Sequence, residues 1–364
     1  MKHVKPLNFS TSRRSFLRTG LAGPGAVGLL AGALPSAAFA DNSPTRGDID
    51  ILRFLAAAKI IETDLWQQYN ELGGIQDSEV PGGSGNPQYT KALKKLDGDM
   101  DQYIHDNTED ELTHFTFINA YLVSKGADPV NLDQFRILPS STATGAQQIK
   151  RLTNLMQLTV DTTWWTRYRS RTKNPDFGDT FPPAIPGLLQ GQFPAIPRSN
   201  HDLTPTRHIQ AIANTAAFHF ATIEQGGTSL YPAMAQRATH PEVLRILISI
   251  GPTETMHFQT WQDKAGNAPM LTAVDPVTGV SVSFPDLSSA AEDLKANLIM
   301  PEPCPFISPN LPPCSVIRPT ETKNIAKGVV KFLTDMGLFI GQSSAFFALL
   351  NDLAEDADEA RRGI

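Results

Sequence analysis

Four long segments of this sequence combine helical periodicity with acidic side chains on their apolar faces. Apolar residues recur every three or four positions, the spacing of one helix face, over residues 48–72, 87–125, 205–231 and 239–264. Glutamate interrupts each of these apolar stripes, and histidine interrupts two of them. Buried carboxylates are costly unless cations or hydrogen bonds compensate them. The segments are therefore expected to pack as helices around a compensated polar centre.

The interrupting residues follow a recognisable order. They are Glu62, Glu111 with His114, Glu224, and Glu254 with His257. One glutamate from each of two helices and a Glu-x-x-His pair from each of the others form the carboxylate-bridged two-metal site of four-helix bundles. Two divalent ions balance four carboxylates, and oxygen-rich ligation with one imidazole per ion favours iron or manganese. The alternative is a metal-free bundle in which Glu62 or Glu224 points outward.

The segments that carry these residues resemble a known family. IIETDLWQQYNELGG, NTEDELTHFTFINAYLVSKGA, AFHFATIEQGGTSLYP and EVLRILISIGPTETMHFQTW are together similar to secreted ferritin-like proteins, among them desiccation-associated proteins. The resemblance implies an all-α, ferritin-like four-helix bundle with one long crossover. It also implies that Glu62 and Glu224 are terminal ligands, that Glu111 and Glu254 bridge the metals, and that each metal has one histidine ligand. Asn107, one turn before Glu111, is a candidate partner of the ligands.

Several element boundaries follow from local signals. The second helix is expected to run unbroken from Pro87 to Lys125, and a further helix is expected over Gly145–Arg169. Thr239, with Glu242 three residues later, predicts a capping box at the start of the fourth helix. Pro252 lies within that helix, but the apolar spacing continues through it, which favours a kinked helix over a turn.

The domain organisation is predicted from composition. Residues 1–40 contain Arg13-Arg14, a short apolar stretch and Ala38-Phe39-Ala40, the pattern of a twin-arginine export signal cleaved after Ala40. The bundle is expected over 48–265, including the crossover insertion 127–204. The bundle is followed by a proline-rich region over 266–320 and by C-terminal helices over 321–364.

The charge balance limits the possible partners. Residues 1–40 contain five of the 31 basic residues and none of the 37 acidic residues, so their removal leaves 26 basic against 37 acidic, a net charge of −11. This argues against binding to nucleic acid or anionic lipid. No later apolar run is long enough for a membrane span, so a periplasmic or secreted protein that uses the twin-arginine export machinery is expected. The sequence does not indicate an oligomeric state.

The two cysteines are predicted to form a disulfide. Cys304 and Cys314 are the only cysteines and flank a short proline-rich loop, and thiols so placed outside the cytoplasm most simply pair with each other.

Two functional hypotheses remain open at this level. In the first, a di-iron or di-manganese centre reacts with a small oxidant, oxidising ferrous iron or decomposing peroxide. In the second, the bundle is a non-catalytic stress or envelope scaffold, with a structural metal or none.

Overall fold

The computed structural model describes residues 43–167, 180–288, 301–302, 308, 310, 312, 314–315 and 323–362. The predicted export signal and Cys304 lie outside these residues, so the signal and the disulfide remain predictions.

Helices dominate the described residues, and four long ones form the bundle. The helices are α1 (Arg46–Gly73), α2 (Pro87–Leu93), α3 (Met100–Ser124), α4 (Thr163–Arg167), α5 (Pro186–Leu189), α6 (Thr206–Ala235), α7 (Pro241–Ala265), α8 (Ile325–Asp335) and α9 (Ser344–Glu359). Helix α1 packs along α3, and α6 packs along α7. The predicted all-α bundle with a long crossover is confirmed.

Aromatic packing joins the two helix pairs in the core. The Trp66 ring of α1 lies 4.9 Å from Phe220 of α6 and 5.3 Å from Trp261 of α7, measured between ring centroids. All three side chains are buried. Large buried rings contribute both apolar area and favourable ring contacts, so this cluster fixes the spacing of the helices around the centre.

The crossover between α3 and α6 is mostly irregular because its backbone bonds to side chains of the bundle. The buried Asp64 carboxylate accepts hydrogen bonds from the amides of Leu152 and Thr153, at 3.0 and 2.9 Å, and from Arg136 at 2.6 Å. Buried backbone donors need partners, and Asp64 provides them here without regular secondary structure.

The remaining elements pack around the bundle. The strands β1 (Leu271–Val274) and β2 (Ser281–Phe284) form an antiparallel hairpin that packs on α6, and β3 (Pro301–Glu302) pairs antiparallel with β4 (Cys314–Ser315). Helix α9 packs on α1 and α8. The Asp358 carboxylate in α9 accepts the amides of Ala326 and Lys327 at the start of α8, at 3.1 and 3.0 Å. In the part of the chain that the structure describes, no helix has both the length and the apolar character needed to cross a membrane.

The prediction of one unbroken second helix is wrong. Helix α2 ends at Leu93 and α3 begins at Met100. Between them the Asp97 side chain accepts the amide of Asp99 at 2.9 Å. A short acidic side chain that bonds to the backbone two residues later favours a turn over a helix.

The helix expected over Gly145–Arg169 is also largely absent. Within its described part, up to residue 167, only α4 is helical. Arg151 forms a bridge with Leu138, and Leu158 with Phe193. Pairing with distant segments therefore replaces local helical hydrogen bonds here.

The start of α7 differs from prediction, whereas its course through Pro252 does not. The N-cap residue is His240, whose side chain accepts the amide of Glu242, and the amide of Thr239 instead donates to Asp48. The predicted capping box at Thr239 is therefore wrong. The helix is continuous from Pro241 to Ala265, with Pro252 inside it.

Candidate metal centre

The four bundle helices bring all six predicted ligand residues together in the core. Helix α1 contributes Glu62, α3 contributes Glu111 and His114, α6 contributes Glu224, and α7 contributes Glu254 and His257. Each is buried, with at most 9% of its surface exposed. The three- and four-residue spacing of helix faces produces this convergence.

Glu111 joins two halves of this cluster. On one side, His257 Nδ1 lies 3.5 Å from Glu111 Oε1 and 3.3 Å from Glu224 Oε2. On the other side, His114 Nδ1 lies 3.4 Å from Glu111 Oε2 and 3.6 Å from Glu254 Oε1. Each half brings two carboxylates and one imidazole close enough to hold one ion. We call them the His257 half and the His114 half.

Hydrogen bonds at the outer nitrogen orient each histidine ring. His257 Nε2 lies 2.9 Å from Asp110 Oδ2, and His114 Nε2 lies 3.3 Å from the Thr253 hydroxyl. A carboxylate that accepts the Nε2 proton leaves the Nδ1 lone pair available to a metal and raises its basicity. Asp110 therefore prepares the His257 half for a cation.

Two N–H donors bind Glu224 Oε1, the carboxylate oxygen that does not face His257. Trp66 Nε1 and Asn107 Nδ2 each donate to Glu224 Oε1 at 3.0 Å, and Trp261 Nε1 donates to Asn107 Oδ1 at 2.7 Å. These bonds leave Glu224 Oε2 facing His257. Asn107 thus contacts a predicted ligand, as its position one turn before Glu111 suggested.

A lysine lies inside the carboxylate cluster. The Lys59 ammonium lies 2.6 Å from Glu62 Oε2, 2.9 Å from Glu111 Oε2 and 2.6 Å from Glu254 Oε2. Its side chain is 1% exposed. A buried charge is tolerated when it is paired and fully hydrogen-bonded, and here three carboxylates match three N–H donors.

The cluster perturbs the pKa values of its members. Burial disfavours the charge of Glu111, but the Lys59 ammonium, the hydrogen bond from His114 and the nearby His257 ring outweigh it and hold the pKa of Glu111 well below its usual range. Burial and the negative charge of Glu111 raise the pKa of Glu254 well above normal. Burial, opposed by Lys59, raises the pKa of Glu62 to about 8. The negative charges are thus only partly compensated without a further cation.

Two buried carboxylate oxygens of the cluster have no hydrogen-bond partner. They are Glu111 Oε1 in the His257 half and Glu254 Oε1 in the His114 half. Buried polar atoms are almost always paired, so an unpaired carboxylate oxygen is a place where a cation fits, provided that no other positive charge already occupies its surroundings. The His257 half accordingly suits a divalent ion. In the His114 half, the Lys59 ammonium already bonds to Glu111 Oε2 and Glu254 Oε2, so this half fits a second ion less well.

A helical bundle whose core holds four glutamates and two histidines defines a class of carboxylate–histidine proteins suited to divalent metals. The family model for the ferritin-like domain matches residues 47–267, more than half of the chain. The chain therefore belongs to the ferritin-like family. Among curated proteins and among solved structures, no significant match to this chain was found.

Sequence reasoning missed Lys59, Asp110 and Thr253. Lys59 lies three residues before Glu62, the spacing of one helix face, and interrupts the apolar run AAAKII. That interruption was a usable signal. Asp110 and Thr253 each directly precede a predicted ligand in sequence, but nothing in the pattern separates them from solvent-facing polar residues.

Proposed function

We propose that this protein is an exported redox metalloprotein that binds iron or manganese in its bundle core and uses it to oxidise ferrous iron or decompose peroxide. The observation that carries this proposal is the unpartnered, buried Glu111 Oε1 facing Glu224 Oε2 and the Asp110-oriented His257 Nδ1. Carboxylate oxygens with one imidazole suit iron and manganese. A bound ion of either metal supplies electron-transfer chemistry that the carboxylates and imidazoles around it lack.

A small cavity beside the cluster favours a small reactant. It lies between α1, α6 and α8, with a volume of about 30 Å³. Lys59 and Glu62 line it together with mainly apolar residues, among them Ile61, Tyr231 and Phe332. A space of this size holds one or two water-sized molecules, which favours oxygen or peroxide over an organic substrate.

The residues around the cluster have separable tasks. Asp110 and Thr253 hold the histidine rings, and Trp66 and Asn107 hold Glu224. The buried surroundings exclude bulk water, which strengthens electrostatic interactions within the site. We infer that these groups fix the cluster in one geometry before a reactant arrives.

The test begins with the mature chain from residue 41, purified after export. Elemental analysis should find iron or manganese, and the loaded protein should oxidise ferrous iron or consume peroxide. Glu111→Gln, which removes the shared carboxylate charge, should lower metal content and activity together. Loaded protein that reacts with neither would overturn the redox proposal.

The proposed export is tested separately. The twin-arginine route carries folded proteins, so a metal bound in the cytoplasm can travel with the chain. Replacing Arg13 and Arg14 by lysine should retain the protein in the cytoplasm of an expressing bacterium, whereas the unaltered chain should leave it. Equal export of both would contradict a twin-arginine signal.

One observation favours the second candidate function, a non-catalytic stress or envelope scaffold. The three ion pairs of Lys59 give the core a counter-charge that needs no metal. In that case the protein should fold fully in the presence of a chelator and react with neither oxygen nor peroxide after metal is added.

A further inference from the structure

The Lys59 ammonium occupies the His114 half of the cluster in the manner of a cation. It contacts one oxygen of each of Glu62, Glu111 and Glu254, at 2.6 to 2.9 Å. An ammonium has three N–H donors, and three acceptors surround it. Glu62, a predicted terminal ligand, is thus already paired.

The atoms of the His257 half are not among the ammonium's partners. Lys59 bonds to Glu111 Oε2, whereas the His257 half uses Glu111 Oε1, the oxygen that has no partner. Glu224 Oε2 and His257 Nδ1 complete this half. Hydrogen bonds from residues outside the cluster fix both side chains. Trp66 and Asn107 donate to Glu224. Asp110 bonds to the His257 ring. In the His114 half, the corresponding hydrogen bond is weaker: the Thr253 hydroxyl lies 3.3 Å from His114 Nε2.

An ion in the His114 half would compete directly with the lysine. Its nearest oxygens include Glu111 Oε2, which already accepts from Lys59, and Glu254, whose other oxygen also does. Two like charges sharing one buried carboxylate oxygen repel strongly, because little solvent screens them. Unlike an ion, the ammonium cannot diffuse away from the cluster, since the Lys59 backbone lies in the middle of α1.

We propose that Lys59 takes the place of one metal, so that the protein binds a single divalent ion in the His257 half, held by Glu111, Glu224 and His257. The inference rests on the metal-binding part of the proposed function and narrows it from two ions to one. It also assigns unequal roles to the two Glu-x-x-His pairs: His257 is a ligand, whereas His114 lies beside a carboxylate cluster neutralised by lysine.

The first experiment measures stoichiometry and position with Mn²⁺ as the probe. The mature chain, stripped with chelator and reloaded, should retain one manganese per chain after desalting. Anomalous scattering at the manganese edge should place it beside His257. Two ions per chain, an ion beside His114, or no bound ion would each overturn the inference.

A matched pair of variants tests the inequality of the two halves without altering Lys59. His114 and His257 are equally buried, each 9% exposed, so His114→Ala and His257→Ala remove comparable side chains. His257→Ala should weaken Mn²⁺ binding at least tenfold, and His114→Ala should change it less than threefold. Equal losses in both variants would contradict the assignment. Because this comparison keeps the lysine, it decides the question even if variants at residue 59 fail to fold.

Lys59→Met then tests whether the lysine excludes the second ion. Methionine preserves an unbranched buried side chain and removes the charge. The variant should bind two Mn²⁺ ions per chain, since four carboxylates then balance two divalent charges, and its thermal midpoint should rise more on metal addition than that of the natural chain. Lys331→Met, which removes an exposed lysine paired with Asp335 on α8, should bind one. A folded Lys59→Met protein that still binds one ion would show that the lysine does not exclude the other.

Failure of this inference can be distinguished from failure of the proposed function. A single ion beside His257 that does not react with oxygen or peroxide supports the inference and contradicts the redox proposal. Two redox-active ions per chain would instead support the redox proposal and contradict the inference.

Discussion

Gly227 of α6 lies directly against the Glu254 carboxylate of α7. A Cβ atom built at residue 227 would overlap Glu254 Oε2 and lie 3.0 Å from the carboxyl carbon. The bare backbone of Gly227 is therefore what lets Glu254 reach the Lys59 ammonium.

Gly227→Ala should displace Glu254 and disturb the cluster. We expect the metal affinity to fall at least tenfold, because the Lys59 ammonium that loses Glu254 pairs more strongly with Glu111, the carboxylate shared with the His257 half. Calorimetric titration with Mn²⁺ measures the change. The neighbouring Gly226→Ala is the control, because a Cβ there meets nothing within 4 Å. It should leave affinity unchanged and stabilise α6 by up to about 1 kcal/mol. Equal affinity in the two variants would contradict the role of Gly227.

Asn107→Leu should weaken metal binding without removing a ligand. The change takes one donor from Glu224 Oε1 and leaves Trp261 Nε1 without its acceptor. Loss of such a supporting partner reduces metal affinity by roughly 10- to 100-fold. Asn351→Leu, at an exposed position on α9, should bind metal normally. Unchanged affinity in Asn107→Leu would show that Glu224 needs no such support.

Asp110→Asn should lower affinity by about tenfold through the orientation of His257. The neutral amide is a weaker acceptor for the Nε2 proton, so Nδ1 becomes less basic. Asp106→Asn, one turn earlier on α3 and with a comparably exposed side chain, is the matched control and should have no effect on Mn²⁺ titration. A loss common to both variants would indicate a general effect of surface charge and not a specific contact.

His219 should make the protein less stable in acid. Burial lowers the pKa of His219 from its ordinary value of 6.5 to about 3, and Tyr69 Oη lies 2.7 Å from its Nδ1. Between these pH values the unfolded chain binds a proton that the folded chain does not, so the free energy of unfolding falls as the pH falls from 6.5 towards 3. One proton corresponds to about 1.4 kcal/mol per pH unit.

Denaturant unfolding between pH 4 and 6.5, with chelator present, measures this contribution. His219→Gln should reduce the pH slope by about one proton. His201→Gln, at an exposed site, should retain the natural slope. If His219→Gln also retained the full slope, other groups would account for the acid sensitivity.

The sequence was most informative where local periodicity and burial agree. The spacing of Glu111 with His114 and of Glu254 with His257 placed each pair on one inward helix face, and the structure brings both pairs together. The periodicity was least informative for α1, which is buried on most of its circumference because α3 and α9 both cover it. A single apolar stripe through Ala58 and Glu62 therefore did not reveal that Lys59 also points inward.

Long-range contacts explain the other differences. The segment 145–160 has no helix because Asp64, about ninety residues earlier, binds the amides of Leu152 and Thr153. Asp48 similarly binds the amides of Thr239 and His240 and moves the start of α7. Such partners are distant in sequence, so no local pattern predicts them.

The ammonium of Lys59 differs from a metal ion in being covalently attached to the protein. No chelator can extract it, and its presence does not depend on the supply of a metal. Glu62, Glu111 and Glu254 thus keep a counter-charge during metal starvation. We therefore expect the bundle to remain folded without metal and to bind an ion when one becomes available.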